Sequence, residues 1–451
     1  MGLQRVLATQ ICRLTVTKAG VFLAIGASTL LAPNIAAQSR KLNGPLTARG
    51  VNHGIREART SPDGAWVVYE ATVDTQAVGL FSVRTDGSVD PRRVLPPGTF
   101  YYRFDVSSEF VVCSDLRNLL IVPIDGSRPP SLLLPPVGDT AFVGVRSIGW
   151  MEITADGSHV IYLAGLPGVG REELFSVALH GDRNPIKLSG PPPAGIIWHS
   201  EVSPDGQRVV YLADQETQGL FEIYSAPIDG TSAPVKLNGP LVTNGDVLTH
   251  WPFQISPGGD RVVYMADQDS DEVTELYSAP IDGNSNAVKL NGPLVGSGNV
   301  RRYLISPDGF HVVYLADQEV NERDELYSAP IDGSSAPVKL NGRTRADVLI
   351  GFQISPDGSR VVYRAPPFLG PGVALYSAPI DGEGATFLLN PGASDPLVFS
   401  PDGRQVVYLA FQGGQLDLYS EPLVRGEVDA RFNQSHSVLQ QHPEWLEISG
   451  N

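Results

Sequence analysis

Four carboxylates lie close together along one short segment of the chain: Asp267, Asp269, Asp271 and Glu275. Carboxylate oxygens suit a hard cation such as calcium, which takes about six to eight of them. The segment lacks the glycine of an EF-hand loop, and two neighbouring repeats hold only Asp214-Gln-Glu216 and Asp317-Gln-Glu319 at the same place. Two interpretations therefore remain open, a calcium site and a solvated hairpin tip, and no other cofactor is expected.

Aromatic and imidazole side chains adjoin one another at two places in adjacent repeats, Trp198-His199 and His250-Trp251. Such groups bind sugars or peptides when they stand at the mouth of a pocket. Large rings also pack between layers of a protein, which is the alternative for these residues. The next two repeats carry Arg301-Arg302 and Arg345 in the corresponding loops. Guanidinium groups there suit an anion, so these arginines join the candidates for ligand binding.

No motif of a known catalytic type occurs in the sequence. There is no His-Glu-x-x-His, no pair of cysteines spaced for a metal and no glycine loop for phosphate. A pair of carboxylates acting on a glycosidic bond stays open, because carboxylates are abundant. Cys113 ends the run Phe110-Val-Val-Cys113 without a basic neighbour. We interpret it as a small buried hydrophobic residue and not as a reactive thiol.

The candidate residues belong to a repeated unit of about 50 residues. Phe352–Asn390, Tyr303–Asn341 and Phe253–Asn291 each hold four short apolar runs, separated by Ser-Pro-Asp-Gly or a variant of it and by Ile-Asp-Gly. Runs such as Arg261–Ala266 are apolar on both alternate faces, so neighbouring layers must cover both. The pattern predicts an all-β fold, a single β-propeller with eight four-stranded blades, with seven blades as the alternative. The units begin at Ser61, Ser107, Thr154, Ser203, Ser256, Ser306, Ser355 and Ser400.

The predicted loops differ between the two ends of each blade. The turns Ser-Pro-Asp-Gly and Ile-Asp-Gly are short and uniform, whereas segments such as 267–275 and 293–302 are longer and vary. Variable loops on a rigid scaffold commonly carry binding sites. Any site is therefore expected at that end, around the mouth of the channel.

One terminal strand is predicted to complete the last blade, because open strand edges invite aggregation. Lys41–Leu46 repeats the hexapeptides Lys236–Leu241 and Lys289–Leu294, as the last strand of a divided unit would. Arg431–Asn433 competes for the same role. The sequence leaves both alternatives open.

The repeats resemble a known family of propellers. Phe352-x-Ile-Ser-Pro-Asp-Gly-x-x-Val-Val-Tyr and Glu325-Leu-Tyr-Ser-Ala-Pro-Ile-Asp-Gly resemble the WD40-like repeats of TolB-type β-propellers, and are similar to repeats of prolyl-oligopeptidase-like peptidases. The resemblance covers Lys41 to about Asn433 and implies the fold. The α/β N-terminal domain of TolB is missing, as are the peptidase hydrolase domain and its Gly-x-Ser-x-Gly elbow. The resemblance therefore does not imply that this protein binds the lipoprotein partner of TolB or that it is a peptidase.

The N-terminus has the pattern of a secretory signal. Arg5, Arg13 and Lys18 precede the uncharged stretch Ala19–Ala32, and Ile35-Ala-Ala37 offers small residues for cleavage. The apolar stretch is too short for a comfortable membrane span, so none is expected after cleavage, with an uncleaved anchor as the alternative. The predicted divisions are a signal peptide at 1–37, the propeller at 38–433 and a tail at 434–451, in a periplasmic or secreted protein.

Composition narrows the class of partner. A net charge of −16 argues against nucleic acid, whose phosphates require a basic surface. Together with the repeats, the signal and the missing catalytic motifs, it favours an exported scaffold that binds a protein, peptide or glycan and performs no catalysis. The alternative is an exported hydrolase or lyase that uses carboxylates at the channel mouth.

Overall fold

The computed structural model describes residues 42, 55–74, 77–115, 117–134, 147–165, 172–190, 195–250, 253–342, 349–367, 373–412 and 415–424. The predicted signal, the predicted tail, Arg345, Trp251 and the strand Arg431–Asn433 lie outside these residues. Every regular element in the described ranges is a β-strand. None of the described segments forms a helix long and apolar enough to cross a membrane.

The strands form eight antiparallel sheets in chain order, which confirms the predicted β-propeller class with eight blades. The first four sheets contain β1 Ile55–Thr60, β2 Trp66–Asp74, β3 Ala77–Arg84, β4 Arg92–Arg93; β5 Arg103–Val106, β6 Phe110–Ser114, β7 Leu119–Pro123, β8 Ser131–Leu132; β9 Ser147–Ile153, β10 His159–Gly165, β11 Glu172–Ala178, β12 Ile186–Lys187; and β13 Ile197–Val202, β14 Arg208–Ala213, β15 Glu222–Pro227, β16 Val235–Lys236. The last four contain β17 Gln254–Ile255, β18 Arg261–Ala266, β19 Glu275–Pro280, β20 Val288–Lys289; β21 Val300–Ile305, β22 His311–Ala316, β23 Glu325–Pro330, β24 Val338–Lys339; β25 Leu349–Ile354, β26 Arg360–Ala365, β27 Ala374–Pro379, β28 Phe387–Asn390; and β29 Ala393–Phe399, β30 Gln405–Gln412, β31 Gln415–Pro422. We number these sheets 1 to 8.

Two compact units make up the chain, Met1–Ile186 and Lys187–Asn451, called here unit 1 and unit 2. Within unit 2 the second strands are buried on both faces, as their apolar pattern predicts. The side chains of Val262–Tyr264 in β18 are fully buried, and Tyr264 stacks on Tyr277 of β19 with ring centroids 5.6 Å apart. Val210 of sheet 4 packs with Phe253 of sheet 5, and similar clusters join sheets 5 and 6, 6 and 7, and 7 and 8, so adjacent sheets of unit 2 cover each other's faces. Each such side chain contributes about 1.5–3 kcal/mol through burial.

The Ser-Pro-Asp-Gly turns fix the geometry between the first and second strands. In sheet 7 the hydroxyl oxygen of Ser355 accepts a hydrogen bond from the Arg360 N–H (2.9 Å), and the Ser355 carbonyl accepts one from Gly358 (2.8 Å). Gly358 has φ 73°, a conformation that glycine adopts without strain. The same contacts recur in the other turns of this type, so residues at equal distance from the turn serine or threonine occupy equal positions on their first strands.

Leu42 packs against Tyr69, Ala71 and Val83 of sheet 1. Leu290, at the same place in the hexapeptide Lys289–Leu294, packs in the same way against the sheet that follows it. Sheet 8 has three strands in the described ranges, and the remaining residues of both predicted closing strands lie outside them. Which strand completes sheet 8 stays a prediction.

Candidate functional site on the first strands of unit 2

The first strands of unit 2 lie side by side. The Ile305 N–H of β21 donates to the side-chain oxygen of Gln254 in β17 (3.4 Å), and the Gln353 side chain of β25 donates to the Leu397 carbonyl of β29 (3.5 Å). The ring of His199 in β13 meets that of Phe253 beside β17, and Arg302 of β21 lies over the ring of Phe352 in β25, so contacts run from each first strand to the next. The strands form a continuous row that we call the first-strand row, comprising β13, β17, β21, β25 and β29.

One position on the first strands faces the neighbouring first strands and carries a different type of side chain from sheet to sheet. It lies two residues before the serine or threonine of the first turn and is occupied in sheets 1 to 8 by Arg59, Asp105, Glu152, Glu201, Gln254, Leu304, Gln353 and Val398. All five of the unit 2 positions are described. Glu201 is the only ionisable residue among them.

The equivalent side chains usually bond across to the next first strand. In unit 1, Asp105 accepts a hydrogen bond from the Ile153 N–H (2.8 Å) and forms an ion pair with Arg59 (2.8 Å). Gln254 makes the matching contact with Ile305 in unit 2. Glu201, by contrast, has no hydrogen bond or ion pair with the described residues. Burial without a compensating donor raises the pKa of its carboxyl to about 7.

Trp198 and His199 begin the same strand, β13, and differ in exposure. The Trp198 side chain remains 49% exposed although its indole N–H donates to the Thr249 carbonyl (3.0 Å) and its ring edge meets Phe221. His199 is half-buried against the ring of Phe253, with centroids 5.2 Å apart. Burial lowers the pKa of His199 to about 4, so its imidazole is neutral at physiological pH. The structure therefore presents a fixed aromatic surface and an uncharged imidazole on one strand.

The other ligand candidates are not brought together with this pair. His250 is exposed near Asp246, and Trp251 lies outside the described residues. The guanidinium group of Arg301 is already paired with Asp324 (2.6 Å). Arg302 lies over the ring of Phe352 at 5.4 Å from its centroid. Neither arginine is presented as a free anion-binding group among the described residues.

Asp267, the first of the four carboxylates, joins two loops to sheet 5. Its oxygens accept hydrogen bonds from the N–H of Asp246 in the preceding connector (2.5 Å) and from the N–H of Glu272 (3.3 Å). The adjacent Gln268 accepts one from Gly239 (2.9 Å). Sheets 4 and 6 repeat this arrangement with Asp214-Gln215 and Asp317-Gln318. We call it the connector latch.

Two further candidates for calcium share one ammonium group. Lys289 Nζ lies 2.6 Å from Glu275 and 2.7 Å from Asp269, and the Tyr277 hydroxyl also donates to Glu275 (2.9 Å). The fourth candidate, Asp271, accepts a hydrogen bond from the Asn244 side chain. We call the contact of Lys289 with the two carboxylates the lysine clamp; Lys236 and Lys339 form it in sheets 4 and 6.

A calcium ion bound here would have to displace Lys289 from two of its four predicted ligands. The part of the chain that the structure describes contains no group of three or more His, Cys, Asp or Glu side chains arranged to hold a metal ion. The calcium site stays a prediction, to be tested by binding.

Sequence reasoning missed Glu201 because it searched the variable loops. A usable signal existed: a carboxylate stands two residues before the first-turn residue in sheets 2, 3 and 4, whereas sheets 5 to 8 have Gln or apolar side chains there. The absence of a partner for Glu201, however, depends on three-dimensional contacts and leaves no trace in the sequence.

No protein-family model and no curated protein matches the chain. Among solved structures it is similar to a putative TolB from Agrobacterium tumefaciens, with 21% identity over 66% of this chain and 94% of that chain and a TM-score of 0.29. It is also similar to TolB from Acinetobacter baumannii (16% identity, 71% and 76% coverage, TM-score 0.29). A structure from a study of two prolyl endopeptidases gives 13% identity, 80% and 55% coverage and a TM-score of 0.41. Solved neighbours thus include the TolB and prolyl endopeptidase propellers that the repeats resemble, and at these values the likeness carries no argument about the site.

Proposed function

We propose that the protein is an exported β-propeller scaffold that binds a protein, peptide or glycan on the first-strand row of unit 2. The observation that carries the proposal is the half-exposed Trp198, whose ring is held by Thr249 and Phe221. Most large side chains of the repeats are buried between sheets. An aromatic ring that is exposed yet fixed offers contact area at little cost in conformational entropy.

The neighbouring residues suit binding better than chemistry. His199 is neutral, and the row continues with the amides of Gln254 and Gln353. Amides and a neutral imidazole donate and accept hydrogen bonds, which is what peptide and sugar ligands require. The signal pattern at residues 1–37 supports a periplasmic or secreted location for this activity.

A second candidate is an exported hydrolase or lyase, and Glu201 favours it. A carboxyl whose pKa is about 7 is suited to general acid or base catalysis at neutral pH. Within the described first-strand row no second ionisable group occupies an equivalent position. Binding therefore remains our conclusion.

The test is a thermal-shift screen of the protein against peptides and glycans, with calcium and EDTA as further arms. A ligand that binds only the folded state raises the melting temperature. We expect one ligand class to do so, and Trp198→Ala to abolish the shift. Phe310→Ala is the control, because Phe310 is also an exposed aromatic side chain, 68% exposed, and lies beside the first turn of sheet 6. A shift that survives in Trp198→Ala, or no shift with any peptide or glycan, contradicts the proposal.

A further inference from the structure

We propose that Glu201 is the binding site for a cationic group, a primary ammonium or a guanidinium, on a peptide ligand of the first-strand row. The proposal rests on the proposed function and narrows it from protein, peptide or glycan to a peptide segment with a lysine, an arginine or a free amino terminus. It assigns a role to Glu201, the one ionisable side chain among the five equivalent positions of unit 2, which has no hydrogen-bond or ion-pair partner among the described residues.

The first argument comes from comparison of equivalent positions within the chain. Asp105 and Gln254 each accept a backbone N–H from the next first strand. Asp105 also has Arg59 as a counter-ion, with an Oδ1–Nη1 distance of 2.8 Å. Glu201 has neither kind of partner among the described residues. Glu201 is half-buried, so its carboxylate is partly desolvated without a donor from the described residues and is still accessible to a group from a ligand.

The second argument concerns the groups that surround Glu201. On its own strand the nearest titratable neighbour on the same face is His199, which is neutral. From β21 the hydroxyl of Tyr303 lies close enough for the Glu201 charge to raise its pKa. That hydroxyl already donates to the Val263 carbonyl (2.8 Å), and the oxygen of Gln254 on β17 is engaged by Ile305. None of these three groups donates a hydrogen bond to Glu201 among the contacts of the described residues.

The third argument identifies the ligand chemistry. A neutral hydroxyl would supply one hydrogen bond but would leave the carboxylate charge uncompensated. An ammonium or guanidinium group supplies both donors and charge, and charge-assisted hydrogen bonds are about twice as strong as neutral ones. Trp198 lies three residues before Glu201 on the same strand, and its exposed ring offers a contact surface for another part of the peptide.

Binding is accordingly linked to a proton. Because burial raises the pKa of Glu201 to about 7, part of the population carries a proton near neutral pH. The cation binds the carboxylate, and the proton leaves to the buffer. Raising the pH from 6 to 8 increases the ionised fraction about tenfold, so the affinity for the cation rises by about the same factor.

The experiment measures binding of N-acetylated trilysine amide, whose charge does not change between pH 6 and pH 8, to the full-length protein by calorimetry at these two pH values. Sodium chloride at about 0.15 M screens the general attraction of a peptide to an acidic protein. We expect Glu201→Gln to weaken binding at pH 8 about tenfold and to remove the pH dependence. Glu383→Gln, which removes one negative charge from an exposed position directly after the Ile-Asp-Gly turn of sheet 7, should leave the affinity and its pH dependence unchanged. The same peptide with all amino groups acetylated should not bind measurably.

Equal affinity of Glu201→Gln and the unsubstituted protein, or no binding of trilysine amide at pH 8, overturns the proposal. The ligand screen separates this failure from that of the proposed function. If neutral peptides or glycans bind in a manner that depends on Trp198, the proposed function stands and the role of Glu201 falls. If nothing binds in either experiment, both fall.

Discussion

Removal of the ammonium group from the lysine clamp of sheet 5 should weaken this sheet locally. The residue Glu275 is only 7% exposed, and its carboxylate receives Lys289 and the Tyr277 hydroxyl. Lys289→Met keeps the apolar stem but leaves the buried charge with one donor. Losing a hydrogen bond to a charged buried group costs about 1.5–3 kcal/mol. The contact with Asp269, which is half-exposed, adds less than about 1 kcal/mol.

The expected effect is a loss of about 2 kcal/mol in the free energy of local opening, which corresponds to roughly thirtyfold faster amide exchange. Native-state hydrogen exchange is the appropriate assay, since a chain of eight sheets need not unfold in two states. The reporters are the Leu276 N–H, bonded to Asn291 (2.8 Å), and the Leu290 N–H, bonded to the Leu276 carbonyl (2.8 Å). Amides of sheet 7 serve as the internal control.

Sheet 7 itself provides the matched variant. Ala374 occupies in sheet 7 the position of Glu275, since each lies opposite an alanine of the second strand. Leu388 occupies the position of Lys289, since each lies opposite a tyrosine of the third strand. The double substitution Glu275→Ala with Lys289→Leu copies them into sheet 5. Replacing both partners of a buried ion pair by apolar residues costs less than removing one partner and leaving the other charge buried, so we expect the double variant to lose less than Lys289→Met. A double variant that exchanges as fast as Lys289→Met, or a single variant with normal exchange, would refute this account of the clamp.

Further predictions concern the first-strand row and the loops of unit 2. Glu201→Gln should stabilise the protein at pH 8 by roughly 1–3 kcal/mol in thermal or chemical denaturation, because the raised pKa of Glu201 makes its ionisation costly only in the folded state. The variant should lose this advantage as the pH falls to about 4.5. The imidazole of His199 should stay uncharged from pH 8 to pH 5, which NMR can measure. Because its folded pKa is about 4 and its unfolded value about 6.5, protonation of the unfolded chain lowers the stability of the protein as the pH falls between these values. An imidazole that titrates near 6.5 would contradict its burial. Glu272 has φ 62° at the place where sheet 4 has Gly219 with φ 83°. Glu272→Gly should therefore slow local amide exchange and Gly219→Ala should speed it, each through a change of about 0.5–1 kcal/mol in the free energy of local opening. A Cβ at position 219 would meet no atom within 4 Å, so Gly219→Ala introduces no steric clash. Calcium should leave the melting temperature unchanged while Lys289 holds the loop carboxylates; a rise that Asp269→Ala abolishes would establish the calcium site instead.

The repeated sheets were predictable because their signals are local. The turn Ser355–Gly358 sets φ and supplies an acceptor for the N–H five residues after its serine. The two-faced apolar pattern of Arg261–Ala266 requires cover on both sides. Such patterns specify eight sheets without information about distant contacts.

The candidate site was predictable only in part. Trp198 and His199 were selected for their residue types, and the structure places both on the first-strand row. The partners of Arg301 and Lys289 were not foreseen, because ion pairs depend on which residues the strand register brings opposite one another. Lys289 meets Glu275 across 14 positions of the chain, and the same spacing recurs in sheets 4 and 6, but only the strand register shows that these residues lie opposite one another.

The connector latch has a consequence for how the chain folds. Asp214, Asp267 and Asp317 each accept a hydrogen bond from a backbone N–H of the preceding connector, a group that is chemically alike in every repeat. A latch therefore does not distinguish its own connector from that of the next repeat. During refolding from denaturant, we therefore expect mispairings by a whole repeat to compete with the correct pairing and to appear as slow phases. Synthesis from the N-terminus removes the competition, because each sheet meets its own connector before the next copy has been made.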